Sequence, residues 1–518
     1  MPQLAPWLGE LILSIALPAD IAALGAGVEI VAGVTVAEAV GTAALVGITV
    51  GLQDAFSPSF NLPTPANVKT SKRQAVASRM GGGGRARISG YYMCYEEKEG
   101  VSYDVFALLN GEIDGIEAYY LHDDLVTLSG DTVQPLADGS YGDSKIKILT
   151  RSGLSTETAY SEVVAGLPGI WTTDHRGDGI ASLALICDKV EPSAFSKIYP
   201  QRLPEPSVVA RLQRFFDPRD GAQDPDDPST WTWNPNPVLG YLDYLRFREG
   251  KDYATRILPE IDYWIDAADV CDEDVNLAAG GTEKRYEWGG VYSYDNDPAD
   301  VGNMFLSTFD GWISETGTGA LRLFAGKFSA PTKTISARHI TGYSVQRFTG
   351  KEDAVNEIAF TYTSPDHKYQ TIDGQRWRDE ANISARGETI SRQIEFPWVQ
   401  SHSRCRRLVK RRMMRANAPA RGSIQTDLYG LCCLGERYLT IELPDFETLA
   451  SFTAEIQRVT IDIMKGTLVF EWLAMDATID DWNEAEEEGS APADPDIIEP
   501  EPPTTPDPPE GTSEGVSD

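Results

Sequence analysis

Trp231-Thr-Trp-Asn-Pro-Asn-Pro-Val-Leu-Gly-Tyr-Leu-Asp-Tyr-Leu245 is the stretch on which the reading of this chain turns. Proline fixes its own φ and pushes the residue before it towards extended backbone, so Asn-Pro-Asn-Pro sets an extended entry. A proline is nevertheless welcome in the first turn of a helix, where its missing N–H costs nothing. Beyond it Leu239, Leu242 and Leu245 recur at helix spacing, which predicts a helix beginning near Val238. The segment therefore reads as a junction at which an irregular connection becomes a helical unit.

Upstream, the Pro/Asp-rich stretch Pro204 to Pro237 follows a different texture. From Ile88 to Val190 short strand-like runs alternate with Gly/Asp turns, as in Ala118 to Leu121 before Asp123-Asp124. Downstream, a second helix is predicted between Tyr253 and Ala279, then aromatic, Gly-rich sequence and strands at Leu321 to Ala325 and Asn356 to Thr363. In the latter Ile358, Phe360 and Tyr362 alternate with smaller residues, as on a strand with one buried face. A helix over Pro397 to Asn417 leads into strands Tyr438 to Leu443, Ile456 to Ile463 and Thr467 to Trp472. The fold class is α+β and β-rich, multidomain, with antiparallel sheets and a few helices.

Composition shifts divide the chain into an apolar Ala/Gly-rich segment (1–68), a basic Gly-rich linker (69–87), a first β-rich unit (88–203), a Pro/Asp-rich loop with a helical unit (204–330), a second β-rich unit carrying a basic helix (331–475) and an acidic Pro-rich tail (476–518). The longest charge-free run of the first segment, Ala39 to Gln53, falls short of the ~20 apolar residues of a spanning helix. Packing against a partner protein, a transient host-membrane contact and a private core all remain open for it. In the linker, Lys69, Lys72, Arg73, Arg79, Arg85 and Arg87 surround Gly81 to Gly84; because strand-like sequence follows where a phosphate loop needs a helix, a flexible connector is expected. The tail should be disordered, since it buries too little apolar surface to offset its chain entropy.

The chain carries a formal charge of −33, twelve of its acidic residues lying in Glu484 to Asp518. Such a charge argues against free nucleic acid as the principal ligand. Cys94, Cys187, Cys271, Cys405, Cys432 and Cys433 form no C-x-x-C pair, which suggests free thiols made in a host cytoplasm, with the adjacent Cys432 and Cys433 read as small buried apolar residues.

The chemistry-bearing residues do not assemble into a site. His122, His175, His339, His367 and His402 are dispersed, with no H-E-x-x-H, G-x-S-x-G or phosphate-loop motif. His402 and Cys405 lie three apart on a helix expected at the surface, and two ligands do not make a metal site. Asp217, Asp220, Asp224, Asp226 and Asp227 lack the spacing of a calcium loop and read as a turn-forming loop. No catalytic, cofactor-binding or metal-binding residues are assigned, and no cofactor is expected.

One concentration of charge asks for a purpose. The helix from His402 carries Arg404, Arg406, Arg407, Lys410, Arg411, Arg412 and Arg415, with Cys405, Leu408 and Val409 as a narrow apolar stripe. A solvated surface helix, an ion-paired contact to an acidic neighbouring subunit and a nucleic-acid contact are the open readings. These seven residues, with Trp231 and Trp233, are the candidate interface.

Several blocks in order resemble the phage tail-tip protein J family, the central hub and fibre proteins of lambda-like siphophages. They are Ser71 to Arg79 leading to Gly84-Arg-Ala-Arg-Ile-Ser-Gly, Trp171-Thr-Thr-Asp-His-Arg-Gly-Asp-Gly-Ile-Ala, Phe216-Asp-Pro-Arg-Asp-Gly with the Trp231 block, Ala267-Ala-Asp-Val-Cys-Asp-Glu, Glu283-Lys-Arg-Tyr-Glu-Trp-Gly-Gly, Asn356-Glu-Ile-Ala-Phe-Thr-Tyr and Phe396 to Leu408. The resemblance covers roughly residues 70 to 475. It implies a homotrimeric hub of tube-like β-barrel domains at the distal end of the virion's tail, touching a distal tail protein and a tape-measure protein, with DNA crossing only in transit. Members of the family continue into fibre modules, whereas this sequence has only the acidic tail after Trp472, so a separately encoded tail fibre is the expected partner. The competing readings are a tail-associated cell-wall hydrolase and a membrane-active ejection component built on Leu8 to Phe56.

Overall fold

The structure is a computed structural model that describes residues 68–74, 76–347, 354–445, 449–462 and 464–493. The apolar segment before Val68 and the tail beyond residue 493 lie outside the described residues, and the expectations placed on them are left there.

Helix formation at the junction follows its sequence. Asn236 caps helix α1 (Pro237–Phe247), its side-chain oxygen accepting from the Val238 amide at 3.0 Å while Pro237 occupies the first turn. The same side chain donates to the Ala268 carbonyl at 2.9 Å, tying α1 to α2 (Ile261–Cys271). The second predicted helix thus starts late, since Tyr253–Ile257 and the Pro259 turn form tighter and wider turns before it. A third helix, α3 (Pro298–Thr308), was not expected; its signal was Asp297-Pro298, an acceptor cap followed by proline. The three helices bury Leu239, Leu242, Leu245, Trp264 and Phe305. Phe305 packs against Trp288 at 4.6 Å and Trp398 at 5.0 Å between ring centroids, carrying the core into the second half of the chain.

The glycine run is no linker. Met80–Gly83 is a buried strand paired antiparallel with Gly290–Ser293. A Cβ on Gly83 would stand 2.4 Å from Trp288 and 2.5 Å from Phe215, and one on Gly84 would meet the Trp288 carbonyl at 1.9 Å. The glycines are there because backbone passes directly over an indole, and their apparent flexibility is cancelled by that packing. Arg85–Ile88 then enters a second sheet.

The first β unit has two antiparallel sheets. Six strands run in the order Tyr91–Lys98, Val101–Asn110, Ile180–Cys187, Ile146–Arg151, Thr132–Val133 and Leu128–Ser129; four run Arg85–Ile88, Pro206–Arg211, Gly115–Leu121 and Asp124–Val126. Alternation on Ile180–Cys187 serves both faces: Leu183 and Leu185 enter the core between the sheets, Ala184 and Ile186 the cluster beneath the short helix Ser161–Gly166. The unit therefore draws strands from either side of the 88–203 range.

In the second half, six strands are ordered Thr334–Ile335, Tyr438–Ile441, Phe452–Asp462, Thr467–Ala474, Arg421–Thr426 and Ile340–Gln346. A separate sheet is centred on Glu357–Ser364, where Ile358, Phe360 and Tyr362 do face the core. Helix α4 (His402–Ala416) lies against that strand. The whole is β-rich α+β, with multiple sheets that include a half-barrel.

Candidate functional site: the buried ionic junction at the basic helix

Helix α4 starts where Ser401 accepts from the Arg404 amide at 3.3 Å and donates to Glu283 at 2.7 Å. Cys405, Leu408, Val409, Met413 and Ala416 form the apolar stripe and are buried in the core shared with α1–α3. The remaining face was expected to reach solvent or another molecule. It does not: Arg404, Arg406, Arg407 and Arg411 are buried as well.

Their charge is met inside the chain, element by element. Arg404 pairs with Glu287 and donates to the Lys284 carbonyl at 2.9 Å. Arg407 reaches Glu283 at 2.8 Å and the Arg285 carbonyl at 2.9 Å. Arg411 meets Asp310 at 2.8 Å and pairs with Asp480. Arg415 bridges Asp310 at 2.7 Å and Glu455 at 2.8 Å, and Arg437, just before strand Tyr438–Ile441, reaches the same two carboxylates at 3.4 and 2.9 Å. Arg412, half-buried, sits on the flank of the helix.

The junction joins three parts of the chain: the α1–α3 unit through Glu283, Glu287 and Asp310, the second β unit through Arg437 and Glu455, and the C-terminal stretch. That stretch corrects the expectation of disorder from residue 476. Phe328 donates its amide to Asp480 at 2.7 Å, Lys410 reaches the Asp481 carbonyl and Glu487 at 2.5 Å each, and Arg406 donates to the Glu487 carbonyl at 2.9 Å. Glu488 accepts from the Ala278 amide at 2.7 Å, and Trp482 stacks on Trp377 at 6.5 Å with the Lys410 ammonium above both. Residues 476–490 are thus a clasp held by the basic helix.

Electrostatics follow the geometry. Burial alone would raise the Asp310 carboxyl, yet Arg415, Arg411 and Arg437 hold it well below the usual carboxylate range. Glu455 shows the same balance, burial opposed by Arg415 and Arg437. His402 is buried, contrary to the surface placement expected for it; burial, then the Arg406 charge, pushes it down to about 4, and it accepts from the Gln375 amide at 3.2 Å. Its helix neighbour Cys405 is also buried.

The two tryptophans of the candidate interface are likewise inward. Trp231 is buried and donates to the Asp224 carbonyl at 2.7 Å, closing the acidic loop. Trp233 is half-buried, donates to Gly84 at 3.3 Å and lies under Arg85 and Arg211. In the loop itself Asp220, Asp224 and Asp227 accept from amides two residues on, as turn formers do, and Asp217 is paired with Arg219. Among the described residues no group of three or more His, Cys, Asp or Glu side chains is placed to hold a metal ion, and no helix is long and apolar enough to cross a membrane.

No protein-family model and no curated protein matches the sequence. Its fold is that of a chain in the virion of a native gene transfer agent particle, with a TM-score of 0.53 at 13% identity over 87% of this chain and 98% of that one. A tail protein from Neisseria meningitidis MC58 (TM-score 0.28, 10% identity, 77% and 96% of the two chains) and the prophage MuSo2 tail protein of Shewanella oneidensis (0.27, 7%, 77% and 94%) overlap more loosely. Overlaps that loose carry no argument.

Proposed function

We propose that the chain is a structural subunit of a phage-type tail, and within it the hub at the distal tip of a long non-contractile tail. The observation that supports this is a fold shared, over 87% of this chain and 98% of the other, with a chain of the virion of a gene transfer agent particle. The ordered motifs that resemble the tip-protein family point the same way. On this reading the protein acts as a homotrimer that joins a distal tail protein to a tape-measure protein and a separately encoded fibre, while DNA passes through only on ejection. The ionic junction suits that role: it fixes the angle between the helical unit and the second β unit, so that load entering one is carried by the other.

A particle reconstruction tests the proposal. Density for this chain at the distal end of the tail, in three copies, is the expected result; the chain along the tube, in the capsid or absent from the particle would refute it. For fibre attachment the informative deletion begins at Asp494, because residues 484–488 belong to the folded clasp.

A further inference from the structure

Cys432 and Cys433 end the turn Leu428–Cys433, which Asp427 caps by accepting from the Tyr429 amide at 2.9 Å. Their sulfurs lie 3.7 Å apart. Cys433 is buried as expected, but Cys432 is exposed, alongside the exposed Leu428 and Leu431 of the same turn. The other four thiols are buried, so this turn holds the accessible cysteine of the six.

We propose that Cys432 and Cys433 are a vicinal dithiol that is reversibly oxidised by small-molecule disulfides of the glutathione class. The exposed Cys432 thiolate attacks one sulfur of the disulfide, forming a mixed disulfide and releasing one small thiolate. The Cys433 thiol loses its proton to water and, as thiolate, attacks the Cys432 sulfur; the protein S–S bond forms, the mixed disulfide breaks and the second small thiolate leaves. Two protein thiols are oxidised and one external disulfide is reduced, which balances both electrons and protons.

The geometry sets the character of the bond. Adjacent Cα atoms are about 3.8 Å apart, shorter than the roughly 4.4–6.8 Å that disulfides prefer. A bond closed across that distance is strained and easily reduced, the property of labile disulfides and not of structural ones. The pair therefore stays reduced in a reducing cytosol and closes in an oxidising medium. Burial, with Cys432 beside it, pushes the Cys433 thiol up to about 12, so the second attack is the slow step and accelerates as pH rises.

The test uses the full chain, oxidised glutathione at pH 7 and 9, an alkylating quench and peptide mass analysis. The expected result is loss of alkylation at both cysteines in a peptide lighter by two hydrogens, faster at pH 9 and reversed by dithiothreitol. Cys433→Ala should instead keep glutathione on Cys432, and Cys432→Ser should leave Cys433 unmodified. A wild-type protein that retains the glutathione adduct as Cys433→Ala does, keeps both thiols free, or cross-links through Cys432 to a second copy would overturn the proposal. The result bears on this turn alone and stands apart from the proposed tail role.

Discussion

Replacing Asp310 by Asn removes one charge from the centre of the junction and little else. Asp310 has φ +51°, a left-handed conformation that Asn tolerates and Ala does not, so the substitution separates charge from backbone strain. In the wild type this carboxylate faces Arg411, Arg415 and Arg437, which are almost wholly withdrawn from water. Asn leaves two of them sharing Glu455 and one leaning on Asp480. Breaking a buried pair by removing one partner costs about 3–5 kcal/mol, because a desolvated charge loses its counter-charge. The exposed pair Lys284–Asp274 supplies the control: Asp274→Asn should leave the unfolding midpoint nearly unchanged, because solvent screens an exposed pair. Urea unfolding at pH 7 with a shared m-value measures both. The folded-state value of Asp310 lies below its unfolded value, so its contribution is complete above pH of about 4 and fades as pH falls further. The difference between wild type and Asp310→Asn should therefore shrink below pH 4. An Asp310→Asn protein within about 1 kcal/mol of wild type at pH 7 would refute the claim that the junction holds buried, uncompensated-if-broken charge.

Other sites give independent checks. Gly83→Ala places a methyl group into Trp288 and Phe215 and should cost about 1–3 kcal/mol or prevent soluble folding; a melting temperature equal to wild type would remove the packing explanation of the glycine run. Removal of residues 494–518 should leave the unfolding midpoint unchanged, whereas removal from Asp476 strips Asp480 and Glu487 from Arg411 and Lys410 and should cost about 3–5 kcal/mol; equal midpoints for the two truncations would deny the clasp. Burial pushes the Asp243 carboxyl up to about 7 despite Arg246 and Arg248 nearby. A raised folded-state value means stability is full below the unfolded value and is lost as pH rises towards 7, so Asp243→Asn should gain on wild type between pH 4 and 7, by no more than about 4 kcal/mol. Parallel pH dependence in the two proteins would contradict this.

How much of this was legible depends on whether the cause of each feature is local. The Asn236-Pro237 cap, the leucines of α1 and the alternation at Ile358, Phe360 and Tyr362 are written within a few residues, and each element forms where its pattern lies. The glycine strand was misread because its cause is Trp288, some two hundred positions away. A run of glycines looks the same in sequence whether it is free or pressed against an indole. The basic helix failed for a related reason. Its length and apolar stripe are local, but the carboxylates that neutralise it stand at 283, 287, 310, 455, 480 and 487. In a chain with 78 acidic residues no sequence pattern singles those out. The acidic tail was half legible for the same cause, since its composition says nothing of the arginines waiting for Asp480 and Glu487.

Why a chain so acidic should bury its strongest cluster of positive charge can be argued from what each kind of contact specifies. Desolvating ions is costly, and well-packed apolar side chains of similar volume often hold a fold as firmly. Apolar packing alone, however, is non-directional and tolerates small slides and rotations between units. A guanidinium bridging two carboxylates, as Arg415 does between Asp310 and Glu455, accepts only a narrow range of angles and distances. Asp310 lies in the turn just after α3, Glu455 on a strand of the second β unit, and the clasp arrives through Asp480. The junction therefore sets one relative orientation of these parts. Its fixed centre also leaves adaptation to the sheet edges: the edge strand Tyr91–Lys98 exposes Met93 and Tyr95 with Glu96 and Glu97 beside them, an apolar pair guarded by charge. The fixed centre and the guarded edge thus lie on different parts of one chain.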